Sequence, residues 1–389
     1  MRPSHRPRER DELRELSRLA FRELASAAGG IHGMHGAIAG RAFAAVGPSA
    51  APARALHDTI AAGVYGAVGA GARAVGLVAD AALARRRVEA PARLSSSPRG
   101  AFALGALNGL IGDSLEREGS VLQQPMGVRL AGRPVATEPA ALAAAFPRAT
   151  EHVVVFLHGL MATEVAWRVG APDGQTYASR LRRDLNCTAV DVRYNSGLHI
   201  SENGVSLADL LEQLVESWPV EVDRLALVGH SMGGLVARSA CHQGSQRGHA
   251  WVDSVRQVVS LGSPHTGAPL PQGVHWASTL LDVFPETRPL AGFLRRRSAG
   301  VRDLRRGSLV DEPLLEGASS RFVAATITGS GRHPAGRLLG DWLVLQGSAL
   351  GRGRSIPFDP EHSMHLGGAH HIALLNHPAV YERLRGWLA

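Results

Sequence analysis

Hydrophobic positions in the first part of the chain recur every three or four residues, a spacing that predicts amphipathic helices. The positions that begin this pattern are Leu13, Leu16, Leu19, Ala20 and Leu24. Helical segments rich in alanine and glycine continue to about residue 88, and a stretch rich in proline and serine near residues 91–100 is typical of a linker. We therefore predict a helical N-terminal region over residues 1–100.

The pattern changes after residue 150, where short continuous apolar runs alternate with helical segments. The apolar runs are residues 152–158, 187–194, 222–228, 255–261 and 321–328. The helical segments are 176–185, 205–218, 234–243 and 378–388. Continuous apolar strands separated by helices are typical of a parallel sheet covered on both faces, so we predict an α/β domain over residues 151–389.

Two further segments complete the predicted organisation. Residues 101–150 read as a connecting segment with a short helix and a hairpin whose turn is Ala131-Gly132. Residues 267–320 break the alternation of strands and helices without a clear strand of their own. We predict that this second segment is an insertion over the sheet.

The charge of the chain is basic, and every cation is an arginine. The sequence has 42 Lys+Arg against 34 Asp+Glu, a net charge of +8, and contains no lysine. Arginine binds phosphates and carboxylates, but here the arginines are scattered and no nucleic-acid module is recognisable. We expect no nucleic-acid partner. The two cysteines, Cys187 and Cys241, lie in no CxxC pair and are interpreted as small core residues.

The N-terminus carries no recognisable secretory signal, because residues 1–16 are charged throughout. The most apolar stretch, residues 59–72, is too short and too weakly apolar to cross a bilayer. We expect a cytoplasmic protein. Peripheral membrane contact through the N-terminal helices is left open by the sequence.

The strongest chemical motif follows the apolar run 222–228. The sequence GHSMGG places Ser231 between Gly229 and Gly233, after a predicted strand and before a predicted helix. Such a G-x-S-x-G elbow holds a serine on a sharp turn, and the glycines let strand and helix approach each other. We predict that Ser231 is a nucleophile.

An activated serine also needs oxyanion donors, a base and an acid. Glycine in FLHGL, at the end of the run 152–158, would let a loop present a backbone N–H, so we predict Leu160 and Met232 as the two donors. Downstream, Asp341 in GDWLVLQGS is the predicted acid. The competing acids are Asp303, Asp311, Glu312 and Asp359.

Histidines supply the predicted base. His370 and His371 are adjacent and point different ways, and His371 is preferred because it leads into IALLN and the last helix. His158, His230 and His265 are interpreted as supporting or packing residues. The C-terminal histidines lack the spacing of a metal site on a helix, so we predict neither a metal nor a cofactor.

These motifs together resemble α/β-hydrolases of the bacterial esterase/lipase branch, nearest to the GPI-inositol-deacylase-like lipases. The resemblance covers about residues 125–389 and includes GHSMGG, FLHGL, LGSPHTG at 261–267 and the acid and base loops. It implies an α/β-hydrolase fold in which the insertion at 267–320 serves as a lid. Relatives often have an acidic residue where this chain has Ala373, which leaves His370 as an alternative base.

The resemblance and the residues together predict a serine carboxylic-ester hydrolase that acts on an ester or lipid through an acyl-enzyme. An acyltransferase or thioesterase could use the same triad. A binding or scaffold protein with the hydrolase fold is the alternative outside enzymes, because fold alone does not establish activity.

Overall fold

The computed structural model describes most of the chain beyond residue 94 and two helical stretches before it. The described residues are 12, 14–22, 51–85, 94–267, 298–306, 312–330, 333, 340–351, 359 and 361–389. Most of the predicted lid, including Asp311, lies outside them, as do Leu13 and Leu24 of the predicted N-terminal helix. The chain divides into two compact units, Met1–Leu94 with Ser120–Leu122, and Ser95–Gly119 with Gln123–Ala389.

The first unit contains helical residues 14–22 and the long helix α1, Ala51–Arg85. Arg14 and Arg18 both bind the carboxylate of Asp80 on α1, and their hydrogen bonds hold the pKa of Asp80 below its usual value. Gly76 of α1 lies so close to helical residues 14–22 that a Cβ on it would come within 2.9 Å of Phe21. Among the helices of the described segments, none has the length and apolarity needed to cross a membrane.

The second unit is built on an eight-stranded sheet. The strands are β1 Gly127–Leu130, β2 Arg133–Val135, β3 His152–Leu157, β4 Thr188–Arg193, β5 Arg224–His230, β6 Val255–Leu261, β7 Ser319–Thr326 and β8 Ser363–Gly367. Their order is β2-β1-β4-β3-β5-β6-β7-β8. β3 to β8 pair in parallel, whereas β1 pairs antiparallel with both β2 and β4. The predicted mostly parallel sheet is therefore confirmed.

Helices connect and cover these strands. They are α2 Pro98–Arg117, α3 Pro139–Ala145, α4 Tyr177–Leu185, α5 Ile200–Glu216, α6 Met232–Arg247, α7 Ala299–Arg306, α8 Gln346–Ala349 and α9 Pro378–Leu388. β1 and β2 form a hairpin with Ala131 and Gly132 at its turn, and both turn residues have positive φ. That conformation matches the twist of a tight hairpin.

The core lies on both faces of the sheet because successive strand residues point to opposite sides. On one face, Val154 and Phe156 pack with α4 and α9 through Leu181 and Leu384. The neighbouring residue Val155 points the other way and is equally buried. Both faces of β3 are covered, so all of its residues are buried and the five that follow His152 are apolar.

Candidate active site

Ser231 lies at the junction between β5 and α6, in the turn that the GHSMGG motif predicts. Its φ of 54° and ψ of −121° are far from both helical and extended values, and its N–H donates to the Leu261 carbonyl at 2.8 Å. Such a conformation costs on the order of 1–3 kcal/mol and persists only where the surrounding structure enforces it. The structure around Ser231 therefore enforces this turn.

The elbow glycines explain how this turn can form. A Cβ on Gly229 would lie 2.2 Å from the Gly234 nitrogen, and a Cβ on Gly233 would lie 2.3 Å from the Leu157 carbonyl oxygen. Strand and helix therefore touch through their backbones. The loop after β3 also passes close to the turn, because a Cβ on Gly159 would lie 3.1 Å from the Cβ of Ser231.

Asp341 and His371 lie in direct contact at the carboxyl end of the sheet. Nδ1 of His371 is 2.7 Å from Oδ2 of Asp341, and both side chains are buried. The other carboxylate oxygen of Asp341 accepts the N–H groups of Leu343 and Val344 at 3.0 and 2.8 Å. A proton on Nδ1 donates to this carboxylate, so Nε2 is the nitrogen left to accept a proton.

Ser231 and His371 both lie close to the peptide group between Leu261 and Gly262. Ser231 hydrogen-bonds the carbonyl of Leu261, and a Cβ on the next residue, Gly262, would lie 3.0 Å from Cε1 of His371. Among the bonds that the described residues form, none joins the Ser231 hydroxyl to the imidazole. Such bonds are often long without substrate and tighten only in the bound complex.

The competing base and acids lie in other environments. His370 is exposed and its Nδ1 accepts the N–H of Ala373, which caps the short helix His371–Leu374. Asp303 accepts the N–H of Ile200 and contacts His199, and Asp359 accepts the N–H of Glu361. Glu312 accepts from the Ser239 hydroxyl at 3.4 Å.

The backbone amides of Leu160 and Met232 flank Ser231, one on the loop after β3 and the other at the start of α6. Within the part of the chain that is described, neither N–H has a hydrogen-bond partner. Buried N–H groups are almost always bonded, so two free ones beside a strained serine are available to a bound oxyanion. Both residues are buried.

The loop that carries Leu160 is held by His158 and Tyr194. The sequence analysis did not predict that these two residues are in contact. Nδ1 of His158 donates to the Gly159 carbonyl at 2.9 Å, and Nε2 accepts the Tyr194 N–H at 3.2 Å. The two rings stack with centroids 4.2 Å apart, and the Tyr194 hydroxyl donates to the His158 carbonyl at 2.6 Å. Burial lowers the pKa of His158 to about 4, so the ring stays neutral and keeps this arrangement.

His230 supports His371 from the other side. Its Nε2 lies 3.3 Å from the His371 carbonyl, and the ring centroids are 4.7 Å apart. Burial, and then the neighbouring His371, hold the pKa of His230 well below its usual value. The sequence analysis interprets His158 and His230 as supporting or packing residues, whereas their partners become visible only in the fold.

A buried ion pair fixes the far end of the loop after β3. Arg193 at the end of β4 and Glu164 bind each other through two hydrogen bonds, and both side chains are almost fully buried. Arg193 also donates to the Ser95 carbonyl at 2.8 Å. Removing one partner would leave an uncompensated buried charge, which costs about 3–5 kcal/mol.

No metal-binding arrangement accompanies these residues. Across the described segments, no group of three or more His, Cys, Asp or Glu side chains is placed to hold a metal ion. The described groups at the site are the Ser231 hydroxyl, the His371 imidazole paired with the Asp341 carboxylate, and the backbone amides of Leu160 and Met232.

The segment that contains β3 to β6 is similar to a known protein family. Residues 148–283 match the family model of the PGAP1-like alpha/beta domain. This segment is therefore similar to the PGAP1-like alpha/beta domain. This match, together with the parallel sheet and the elbow, confirms the resemblance to α/β-hydrolases of the esterase/lipase branch and the predicted α/β-hydrolase fold.

Solved structures similar to this chain include a lipase, an esterase and a thioesterase. The lipase BlEst2 of Bacillus licheniformis in its mature form is 20% identical, with 61% of this chain and 92% of that chain covered and a TM-score of 0.43. The hyperthermophilic esterase of the archaeon Pyrobaculum calidifontis is 18% identical, with 62% and 76% covered and a TM-score of 0.38.

The type II thioesterase YbtT of the yersiniabactin pathway is 17% identical, with 61% and 93% covered and a TM-score of 0.42. The comparison with curated proteins returned no match.

Proposed function

We propose that this chain is a serine carboxylic-ester hydrolase, with Ser231 as nucleophile, His371 as base and Asp341 as supporting acid. The observation that carries the proposal is the buried contact between Nδ1 of His371 and Asp341, on the same side of the sheet as the strained Ser231. A buried carboxylate–imidazole pair next to a serine elbow is the arrangement that activates a hydroxyl.

The proposed reaction has two steps. Nε2 of His371 takes the Ser231 proton as Oγ forms a bond to the ester carbonyl carbon. The carbonyl oxygen becomes an oxyanion that the N–H groups of Leu160 and Met232 bind, and collapse of the intermediate breaks the bond to the alcohol oxygen. That oxygen receives the proton from His371, and a water molecule then hydrolyses the acyl-enzyme by the same route.

Asp341 has a defined part in this scheme. Its carboxylate holds the imidazole by Nδ1, which fixes the tautomer that leaves Nε2 free, and it balances the positive charge that His371 gains. The backbone N–H groups of Leu343 and Val344 hold the other carboxylate oxygen of Asp341 at 3.0 and 2.8 Å, which fixes the orientation of the carboxylate.

We propose an ester with an apolar acyl chain as the substrate class, on the basis of the lipase-like motifs. Peripheral contact with a membrane through the N-terminal helices is part of the same proposal. It is supported by the exposed apolar side chains on α1, which are Ile60, Val75, Leu77 and Val78.

Hydrolysis of p-nitrophenyl esters from acetate to palmitate tests the proposal. Wild type should turn over, whereas Ser231→Ala and His371→Ala should lose roughly 10^4-fold or more in kcat, as removal of such residues does in related chemistry. Ser245→Ala, an exposed serine on α6, is the matched control and should keep wild-type rates. Wild type inert on every ester, or an active Ser231→Ala, would refute the proposal.

The same assay separates hydrolysis from transfer. Addition of an alcohol or thiol acceptor should leave the yield of free acid essentially unchanged if water is the natural acceptor. An acceptor that takes most of the acyl groups at millimolar concentration would instead identify an acyltransferase. Faster turnover of matched thioesters than of oxygen esters would identify a thioesterase.

A further inference from the structure

The loop that presents the Leu160 amide rests on helix α2, which lies outside the residues matched by the family model. A Cβ on Gly109 would lie 2.7 Å from both the nitrogen and the Cα of Met161. A Cβ on Gly105 would lie 2.7 Å from the Ala162 carbonyl oxygen. The backbones of helix and loop are therefore in direct contact, and any side chain at these positions would displace the loop backbone.

Met161, the residue after Leu160, has a conformation that needs such support. Its φ is 58°, in the left-handed region, and its side chain is almost fully buried. This region is disfavoured for residues other than glycine, so it persists only where the surrounding structure enforces it. Its N–H donates to the buried hydroxyl of Ser196 at 3.1 Å. Gly109 and Ser196 thus contact Met161 from two different elements of the fold.

Both elements are also bonded to residues 298–300, the segment next to the second candidate donor, Met232. The carbonyl of Gly109 accepts the Ser298 hydroxyl at 2.6 Å, and the N–H of Gly300 donates to Gly197 at 3.1 Å. A Cβ on Gly300 would lie 2.2 Å from the Ser196 carbonyl oxygen and 3.2 Å from Cε of Met232. The side chain of Met232 therefore packs against a segment that is tied to the residues holding Met161.

We propose that Gly109 and Ser196 are positioning residues of the oxyanion hole, an inference that rests on the function proposed above. Gly109 sets the depth at which the Leu160–Met161 segment lies, and the Ser196 hydroxyl fixes its orientation by binding the Met161 amide. Because Leu160 is joined to Met161, a shift of the Met161 backbone moves the Leu160 N–H away from the developing oxyanion. Neither residue contacts the reacting atoms.

Ser196→Ala and Gly109→Ala test this role by the split between kcat and KM. Loss of a whole oxyanion donor lowers kcat by roughly 10^2–10^3-fold, so a displaced donor should lower kcat by roughly 10–100-fold. KM should stay within about twofold of wild type. The matched controls are Ser206→Ala, an exposed serine on α5, and Gly386→Ala, a helical glycine with nothing within 4 Å of its would-be Cβ.

The inhibition constant of a trifluoromethyl ketone distinguishes a displaced oxyanion donor from a general loss of stability. Its adduct with the serine carries an oxyanion, so its inhibition constant should rise by the same factor as kcat/KM falls. Thermal denaturation of each variant shows whether it folds. Where Gly109→Ala does not fold, Ser196→Ala decides alone, because it adds no volume to the core.

Two results would overturn the inference. In the first, Ser196→Ala keeps kcat within twofold of wild type. In the second, kcat falls but the trifluoromethyl ketone binds as tightly as it does to wild type. An inert wild type would overturn the proposed hydrolase itself, and this failure is distinct because it precedes any substitution.

Discussion

Asp341 and His371 are joined twice, through their side chains and through their backbones. Nδ1 of His371 lies 2.7 Å from the Asp341 carboxylate, and the His371 N–H donates to the Asp341 carbonyl at 3.1 Å. The backbone bond fixes where the His371 Cα lies, and the side-chain bond fixes how the ring turns. The pair therefore holds one tautomer and one ring orientation, as a base at this position requires.

Replacing Asp341 by asparagine should lower kcat by roughly 10^3–10^4-fold, because the amide removes the negative charge opposite His371 and disfavours the required tautomer. Asparagine retains an oxygen for the Leu343 and Val344 amides, so the turn should persist. Steady-state kinetics of Asp341→Asn beside Asp359→Asn checks this prediction. Equal activity of the two variants would remove Asp341 from the proposed mechanism.

The two adjacent histidines should respond very differently to substitution. His371→Ala should lose roughly 10^4-fold in kcat/KM. His370→Ala should retain kcat/KM within about fivefold. Its free energy of unfolding should fall by about 1 kcal/mol, because His370 accepts the N–H of Ala373 and so caps the short helix. Kinetics and urea denaturation of both variants measure the two effects. Loss of activity in His370→Ala alone would make His370 the base.

The sequence predicted the central strands well because burial on both faces leaves an unmistakable pattern. β3 to β7 coincide with the five apolar runs to within a few residues at each end. β8 was missed, since its sequence SMHLG is short, partly polar and only partly buried, and it pairs with β7 alone. A strand of that kind has no continuous apolar run to detect.

The candidate site could be predicted only as separate residues. Ser231 and its glycines are contiguous and carry a local geometric rule, whereas Asp341 and His371 are brought together by the ends of β7 and β8 and by a turn in which Trp342 has a φ of 81°. The contact of Gly109 with Met161 could not be predicted from the hydrophobic pattern, because the role of a helical glycine depends on which backbone packs against it in the fold.

Acid should destabilise the fold partly through His265. This ring is buried, neither of its nitrogens has a hydrogen-bond partner among the described residues, and burial lowers its pKa to about 3. As pH falls below about 6.5 the unfolded chain binds this proton while the folded chain does not, so the free energy of unfolding decreases. The expected loss from His265 between pH 7 and pH 5 is about 2 kcal/mol.

His265→Leu should therefore show a free energy of unfolding that depends less on pH by this amount, measured by urea denaturation at both pH values. Phe322→Leu is the control, since it removes the ring that His265 contacts without removing a titrating group. Parallel losses in wild type and His265→Leu would contradict the assignment of this acid sensitivity to His265.

Gly233→Ala should damage the elbow, because its Cβ would lie 2.3 Å from the Leu157 carbonyl oxygen, which belongs to the central strand β3. Overpacking of this kind costs about 1–3 kcal/mol or more, and we expect a lower Tm together with loss of esterase activity. Gly347→Ala has nothing within 4 Å of the added carbon and serves as the control. A Gly233→Ala protein with wild-type Tm and kcat would show that the contact is easily relieved.

The exposed apolar side chains of α1 give a test of membrane contact. Leu77 and Val78 are 73% and 69% exposed. Combined Leu77→Asn and Val78→Asn substitutions should reduce cosedimentation with anionic liposomes by at least about threefold, because buried apolar area contributes to interfacial binding. Hydrolysis of a soluble short-chain ester should not change. Val220→Asn, exposed on the second unit, is the control, and equal binding by all three proteins would argue against this surface.

The most direct test of the account is to label the protein with a fluorophosphonate and locate the adduct by mass spectrometry. We expect one adduct per chain, on Ser231, forming at least about 10^3-fold more slowly in His371→Ala because the hydroxyl then lacks its base. Labelling of a different residue, or no labelling of folded wild type, would contradict Ser231 as an activated nucleophile.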